Sequence, residues 1–228
     1  MCDVAVLELF IDDTKLEEFK NKRVLEVGSK YVNGSVRPLI EKFFSPKEYI
    51  GVDVESGKFV DLILPAEKLL GYFGPESFDV LIATELLEHV MDWRLVVNNM
   101  KMIVKRKGHI YITTRSKGFL YHGFPYDFWR YEVDDIGRIF MDFEIITLKK
   151  DHLSPGVFFK ARKPENYVPA DLSDIPLYSM VLGRRVRDIP SVKNMPFTRT
   201  LTIRLLHSKA GSLMPRALLV RLERLCLC

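Results

Sequence analysis

Cysteine is scarce in this chain, and its three examples, Cys2, Cys226 and Cys228, lie at the two ends. Cys-Leu-Cys without a nearby histidine pair cannot close a tetrahedral site by itself, so the cysteines fit no zinc spacing, no metal is expected, and the thiols are expected to be reduced. Long apolar runs are missing too: none approaches the roughly 18 residues of a membrane span. The opening residues, Met-Cys-Asp-Val-Ala-Val-Leu-Glu, have neither the basic start nor the small-residue cleavage site of a secretory signal. Internal repeats and low-complexity tracts are absent. So is Gly-x-Gly-x-x-Gly, the loop that lets backbone amides crowd a pyrophosphate. No Asn-Pro-Pro-Tyr or Asp-Pro-Pro-Tyr run, as used for extruded bases, occurs either. What these absences leave is a globular enzyme, expected in the cytoplasm.

What is present begins with an uneven charge. Of 228 residues, 47% are hydrophobic and 28% charged, as for one domain or one domain with an appendage. Residues 184–228 hold 10 Lys or Arg against 2 Asp or Glu, a net of +8, whereas the whole chain carries only +4. The first 183 residues are therefore at −4, and a basic part follows an acidic one.

The first organising stretch is Val24, Leu25 and Val27, a short aliphatic run of the kind buried on both faces in a parallel sheet, ended by Gly28. From Ser35, the spacing of Val36, Leu39, Ile40 and Phe43 predicts a helix, with Asn33-Gly-Ser35 as turn and cap. A glycine there lets a ligand lie against the main chain at the carboxyl end of the strand. A second strand, Tyr49 to Asp53, ends in an acid about 25 residues later, where a carboxylate can accept both ribose hydroxyls of an adenosine. The loop after Gly28, with Ser29, Lys30, Tyr31, Val32 and Asn33, is too bulky to cradle a pyrophosphate. Glu26 suits a ligand carrying an ammonium or sulfonium and would repel a phosphate.

Glu26-x-Gly28, then Gly51-Val-Asp53, then Phe78-Asp-Val-Leu-Ile-Ala-Thr-Glu-Leu-Leu-Glu-His-Val90, in that order, resemble the class I S-adenosylmethionine-dependent methyltransferases, type 11-like, over roughly residues 20 to 163. The glycine loop departs from the usual Glu-x-Gly-x-Gly-x-Gly. The resemblance implies S-adenosylmethionine as cofactor, with Glu26 and Gly28 at its methionyl part, Asp53 at the ribose, Ala66 with Glu67 at the adenine, and Ser29 among the cofactor-binding residues. It also implies that Glu85 lies under the methionyl group and that His89 stands beside the acceptor.

Further strands are predicted at Val60–Leu64, Phe78–Ala83, His109–Thr114, Phe143–Leu148 and Gly156–Ala161, with helices over 4–20, after Pro65, over 95–104 and over 133–140. Lys105-Arg-Lys-Gly108 is expected to close the third of these helices. Strands alternating with helices predict an α/β, Rossmann-like three-layer sandwich with a mostly parallel seven-stranded sheet. The last two strands have no helix between them and predict an antiparallel C-terminal edge hairpin. That hairpin accords with the resembled methyltransferase sheet and argues against NAD. Prolines after Lys163 place the boundary between a cofactor domain, residues 1–163, and a basic, partly helical extension, residues 164–228.

Methyl transfer from a sulfonium is an in-line displacement, so positioning comes first, and a base is needed only if the nucleophile carries a proton. Glu85 and His89 are four apart and would meet on one helical face. Residues 117–131 pack seven aromatics into 15 positions, with His122, Asp127 and Arg130 among them. The run from His122 to Arg130 resembles a segment of these enzymes met in polysaccharide and natural-product pathways. Aromatic faces with directed polar groups suit a polyol or sugar, which makes His89, His122 and Asp127 the candidate catalytic residues on the acceptor side. The alternative is an aromatic cluster capping the core.

The expected function is therefore methyl transfer from S-adenosylmethionine to a small-molecule acceptor, such as a sugar or glycolipid hydroxyl. Two amphipathic pieces of the tail, Phe197 to His207 and Pro215 to Leu227, could rest on an anionic membrane, on RNA, or on the domain itself. Hence the alternatives of an RNA methyltransferase or of a non-catalytic cofactor-binding interaction protein, and a location peripheral to the membrane. DNA is not an expected partner.

Overall fold

The structure, a computed structural model, describes residues 4–122 and 127–189. Five strands run parallel: β1 (Arg23–Val27), β2 (Glu48–Asp53), β3 (Leu62–Ile63), β4 (Phe78–Thr84) and β5 (Val104–Arg115). A two-residue strand, β6 (Trp129–Arg130), leaves for a second sheet. Then β7 (Glu144–Lys150) and β8 (Gly156–Arg162) return as the expected hairpin. The sheet order is β3-β2-β1-β4-β5-β8-β7, so β8 inserts between β5 and β7, antiparallel to both. The order reverses between β1 and β4, which opens a crevice at the carboxyl ends of these strands.

Alternation within the strands builds the three layers. Leu25, Val27, Leu81, Ala83 and Ile110 enter one core together with Trp93, Met100, Ile136 and Phe159. Val24, Val80, Ile82 and Tyr111, their neighbours along the same strands, enter a second core with Val6, Phe10, Phe19 and Ile40. Helices α1 (Val4–Asp12), α2 (Leu16–Phe19) and α3 (Arg37–Phe44) supply the second core; α4 (Leu69–Phe73), α5 (Trp93–Ile103) and α6 (Val133–Ile139) supply the first. One cap acts nearly as read, and a second was not read from the sequence. The Ser35 Oγ accepts the Arg37 amide at 3.1 Å at the start of α3, and Asp92 caps α5 by accepting the Leu95 amide at 3.1 Å.

The expected helix end at Lys105–Gly108 is corrected. α5 stops at Ile103, and the chain enters β5 at once, because Phe78 faces Val104 while Val80 faces His109. Residues 105–108 are the excess length of a bulged strand, tied across by Lys107 N–H to the Lys163 carbonyl (2.8 Å) and Lys163 N–H to the Gly108 carbonyl (2.9 Å).

Past residue 163 the chain stays on the domain. β9 (Leu177–Ser179) and β10 (Arg184–Val186) form a three-stranded antiparallel sheet with β6, in the order β10-β9-β6. Leu172, Ile175 and Leu177 are buried in the first core. Arg94, on α5, donates to the carbonyls of Leu172 (2.9 Å), Ile175 (2.9 Å) and Arg187 (2.8 Å). The break placed at 163 thus falls before a segment that is packed through residue 189. The two amphipathic pieces of the tail, and the three cysteines, lie outside the described residues. Among the described residues no helix is long and apolar enough to cross a membrane.

Candidate active site

Gly28 turns the chain at the end of β1 with φ +78°, a region that costs little only for glycine, and a Cβ there would come within 3.0 Å of Leu86 Cδ1. The amides of Gly28 and Ser29 both donate to the Val52 carbonyl, at 2.9 and 3.1 Å. Gly51 is required for a different reason: a Cβ would meet the Phe59 carbonyl oxygen at 2.2 Å and Ser29 Oγ at 2.7 Å. Beside this turn lies a cavity of about 590 Å³ bordered by Gly28, Asp53, Ala66 and Glu67 at one end and by Glu85, His89 and His122 at the other. A second cavity of similar volume opens at the opposite edge of the sheet among charged residues such as Lys15, Asp79, Arg106 and Arg162. The carboxyl-edge cavity is the better ligand site, since it combines apolar walls with a few convergent polar groups.

Asp53 stands at one end of the cavity. Its two carboxylate oxygens accept the Lys30 amide (3.0 Å) and the Glu55 amide (3.2 Å). Those bonds fix the side chain and leave lone pairs for two hydroxyls. Ala66 is buried at the cavity wall, and Asn99 Nδ2 holds the following turn through the carbonyls of Ala66 (3.3 Å) and Glu67 (2.8 Å).

Glu26 and Ser29 are placed differently from the expectation. Both are 2% exposed, and neither borders the cavity. Strand alternation turns Glu26 toward the second core, where it accepts the Tyr49 hydroxyl proton at 2.8 Å. Burial pushes its pKa up to about 7, against the lowering effect of that hydrogen bond.

Glu85 and His89 do not share a helical face. Glu85 has φ +52°, a left-handed conformation costing roughly 1 kcal/mol or more for a residue with a side chain. The chain then makes only a 3-10 turn, Leu87–His89. Glu85 pairs with Arg115, which also reaches Asp151 (3.2 Å) and Ser154 (2.7 Å). His89 instead faces His122, ring centroids 4.8 Å apart.

Between these two histidines lies Glu88, which the sequence reading passed over as a site residue. It is wholly buried. Its Oε2 accepts the Thr114 hydroxyl at 2.8 Å, and its Oε1 lies 3.6 Å from His122 Nε2 and 4.0 Å from His89 Nε2. Asp127 stands behind His122, with Oδ2 3.2 Å from Nδ1. It does not border the cavity; it is buried and doubly bonded to Arg130, itself wholly buried. Trp129 and Tyr131, counted among the aromatics that might stack on a sugar, are core residues, and Phe119 is engaged by Arg115 and His122. Phe124 and Tyr126 lie outside the described residues.

The electrostatics separate the groups. Burial would raise Glu88, yet its contact with His122 and the charges of His89 and His122 hold it well below the usual carboxylate range. Burial would lower His122, but Asp127 and Glu88 outweigh it and push it up to about 9. A near-neutral base at His122 is thus not what the surroundings favour. Burial, then the charge of Glu88, raises Glu85 to about 8 against the pull of Arg115.

Residues 25–112 match a family described as a methyltransferase domain. Over 114 residues the chain is 29% identical to a ubiquinone biosynthesis O-methyltransferase of Vibrio atlanticus, covering 46% of this chain and 48% of that one. The chain therefore spans about half the length of the curated relative it matches. Among solved structures it resembles a 1,6-didemethyltoxoflavin-N1-methyltransferase of Burkholderia thailandensis with bound S-adenosylhomocysteine: TM-score 0.51, 11% identity, 64% of this chain and 72% of that one. It also resembles the [4+2]-cyclase SpnF, TM-score 0.54, 13% identity, 70% and 80% coverage. Such likenesses establish the fold, and the cyclase shows that the fold alone does not name a reaction.

Proposed function

We infer that this chain, whose residues 25–112 match a methyltransferase-domain family, transfers the methyl group of S-adenosylmethionine to a hydroxyl of a small molecule. The observation that carries the acceptor chemistry is the Glu88–His89–His122 group at the end of the cavity away from Asp53. An O-methyltransferase among the relatives is in keeping with an oxygen nucleophile.

Asp53 would hold the ribose hydroxyls, the backbone at Gly28 would lie against the methionyl part, and the turn at Ala66 and Glu67 would flank the adenine. The cofactor supplies the electrophilic methyl. The acceptor hydroxyl sits between His89 and His122; His122, backed by Asp127, donates a hydrogen bond, and His89 takes the hydroxyl proton. The oxygen electron pair forms the new C–O bond while the S–C pair stays on sulfur, leaving S-adenosylhomocysteine. Nothing in this sequence of events requires the basic tail, so RNA is not the favoured acceptor. A sugar or glycolipid hydroxyl is one acceptor of this kind, although fewer rings face the cavity than the sequence led one to expect.

Incubation with methyl-labelled cofactor and a fractionated metabolite extract tests this reading. Label should enter a small hydroxyl compound and should fail to do so with His89→Ala. Label found only in RNA or protein would replace it, and cofactor bound without any transfer would favour a non-catalytic role.

A further inference from the structure

Three ligand-capable atoms from two separate segments converge at one end of the cavity: Glu88 Oε1, a ring nitrogen of His89 and a ring nitrogen of His122, all within 4.8 Å of one another. We propose that Glu88, His89 and His122 bind a divalent transition ion, zinc in the first place, with its remaining coordination positions open to the cavity.

The donor set is of the right kind, since two imidazoles and a carboxylate suit Zn²⁺ and neighbouring first-row ions, and three protein ligands leave room for an exogenous oxygen. The spacing is close to what an ion needs. Glu88 Oε1 lies 3.6 Å from His122 Nε2 and 4.0 Å from His89 Nε2, whereas donors about 2.1 Å from a tetrahedral ion stand about 3.4 Å apart. Small ring rotations close the difference.

Unmet bonding points the same way. Glu88 is wholly buried, yet its Oε1 accepts no hydrogen bond among the described residues, and neither ring nitrogen of His122 makes one of good geometry. A buried carboxylate oxygen left without a donor is costly, and an ion between it and the two rings would satisfy it.

The supporting shell is built as well. Thr114 holds the other oxygen of Glu88 at 2.8 Å, and the Phe128 amide ties the Glu88 carbonyl at 2.7 Å. Asp127 Oδ2 stands 3.2 Å from His122 Nδ1, on the side of the ring away from Nε2, and Arg130 fixes Asp127. A carboxylate behind a ligating histidine is the arrangement that sets tautomer and ring angle in metal sites. With the ion bound, His89 and His122 would be its ligands, and the acceptor oxygen would bind the ion instead of giving its proton to His89, a consequence that rests on the methyl-transfer reading, whereas metal binding itself does not.

The test uses the full chain, stripped with chelator and then titrated with Zn²⁺ by calorimetry and with Co²⁺ by visible absorption. One ion per chain is expected, with a ligand-field spectrum of nitrogen and oxygen donors and no sulfur charge-transfer band. Affinity should fall at least about tenfold in His89→Ala and in His122→Ala, both at the cavity wall and checked for folding by circular dichroism. It should not change in the Cys226→Ser, Cys228→Ser variant. Absence of binding, affinity unchanged in folded His122→Ala and His89→Ala, or loss of the ion with the cysteines would each overturn the proposal. Failure of methyl transfer with metal binding intact would instead count against the acceptor reading alone.

Discussion

Replacing Glu26 by glutamine should stabilise the protein at alkaline pH. The side chain is 2% exposed, between β1 and the second core, where it accepts from the Tyr49 hydroxyl at 2.8 Å. Burial, the largest influence, lifts its pKa from 4.5 to about 7. A carboxyl raised in the fold remains protonated over a range in which the unfolded chain has already lost the proton. Its stabilising effect is therefore complete below the unfolded value, declines as pH climbs from 4.5 to about 7, and is fully lost above the folded value. The gap corresponds to about 3 kcal/mol, at about 1.4 kcal/mol per pH unit. Glutamine keeps an acceptor for Tyr49 and cannot ionise. Urea unfolding of both proteins, followed by circular dichroism from about pH 4 to about pH 8, isolates this residue, because all other groups cancel in the difference. The variant should gain on the wild type by up to about 3 kcal/mol across that range. A difference that stays flat, or a variant that loses ground as pH rises, would refute a neutral buried carboxyl and return Glu26 to the role of an ionised group facing the cofactor.

Asp127→Ala should be costly in itself, by about 3–5 kcal/mol, because it leaves the buried Arg130 guanidinium without its counter-charge, held only by the carbonyls of Phe119, Leu120 and Trp129; a melting temperature close to that of the wild type would show that those carbonyls suffice. His122→Ala, by contrast, should leave cofactor affinity within about 0.5 kcal/mol by calorimetry, the range expected away from a contact, and a complete loss of binding would place His122 on the cofactor side. Cutting the chain after residue 163 removes Leu172, Ile175 and Leu177 from the core and deprives Arg94 of its carbonyl partners, so that piece should not fold cooperatively. Cutting after residue 189 should leave thermal unfolding and cofactor binding unchanged; a folded, binding-competent 1–163 fragment would restore the earlier boundary.

The parallel sheet was legible because β1, β2, β4 and β5 are aliphatic runs with obvious punctuation, and because Gly28 and Asp53 sit at strand ends where only backbone geometry and a carboxylate's reach matter. The second sheet was not, since β6 is two residues long and sits among aromatics that dominate any reading, while β9 and β10 follow a proline-rich stretch that looks like a boundary. Glu26 was misplaced because a sequence shows that a carboxylate precedes a glycine, not which face of the sheet it takes; strand alternation with Val24 held that information. Glu88 was hidden in a different way. Adjacent to His89 and three residues from Glu85, it looked like one more charge on a helix, and only the left-handed turn at Glu85 carries it into the interior. That His122 meets it from a segment more than thirty residues away is tertiary information that spacing cannot supply.

The central claim, that the carboxyl-edge cavity holds S-adenosylmethionine with Asp53 on the ribose, is tested most directly by calorimetric titration of the full chain and of Asp53→Ala. S-adenosylmethionine and S-adenosylhomocysteine should each bind the wild type at one per chain, NAD should not bind, and Asp53→Ala should lose about 1.5–3 kcal/mol as hydrogen bonds to an ionised acceptor are removed. Tight binding of NAD with none of S-adenosylmethionine, or an affinity for S-adenosylmethionine untouched by Asp53→Ala, would contradict it.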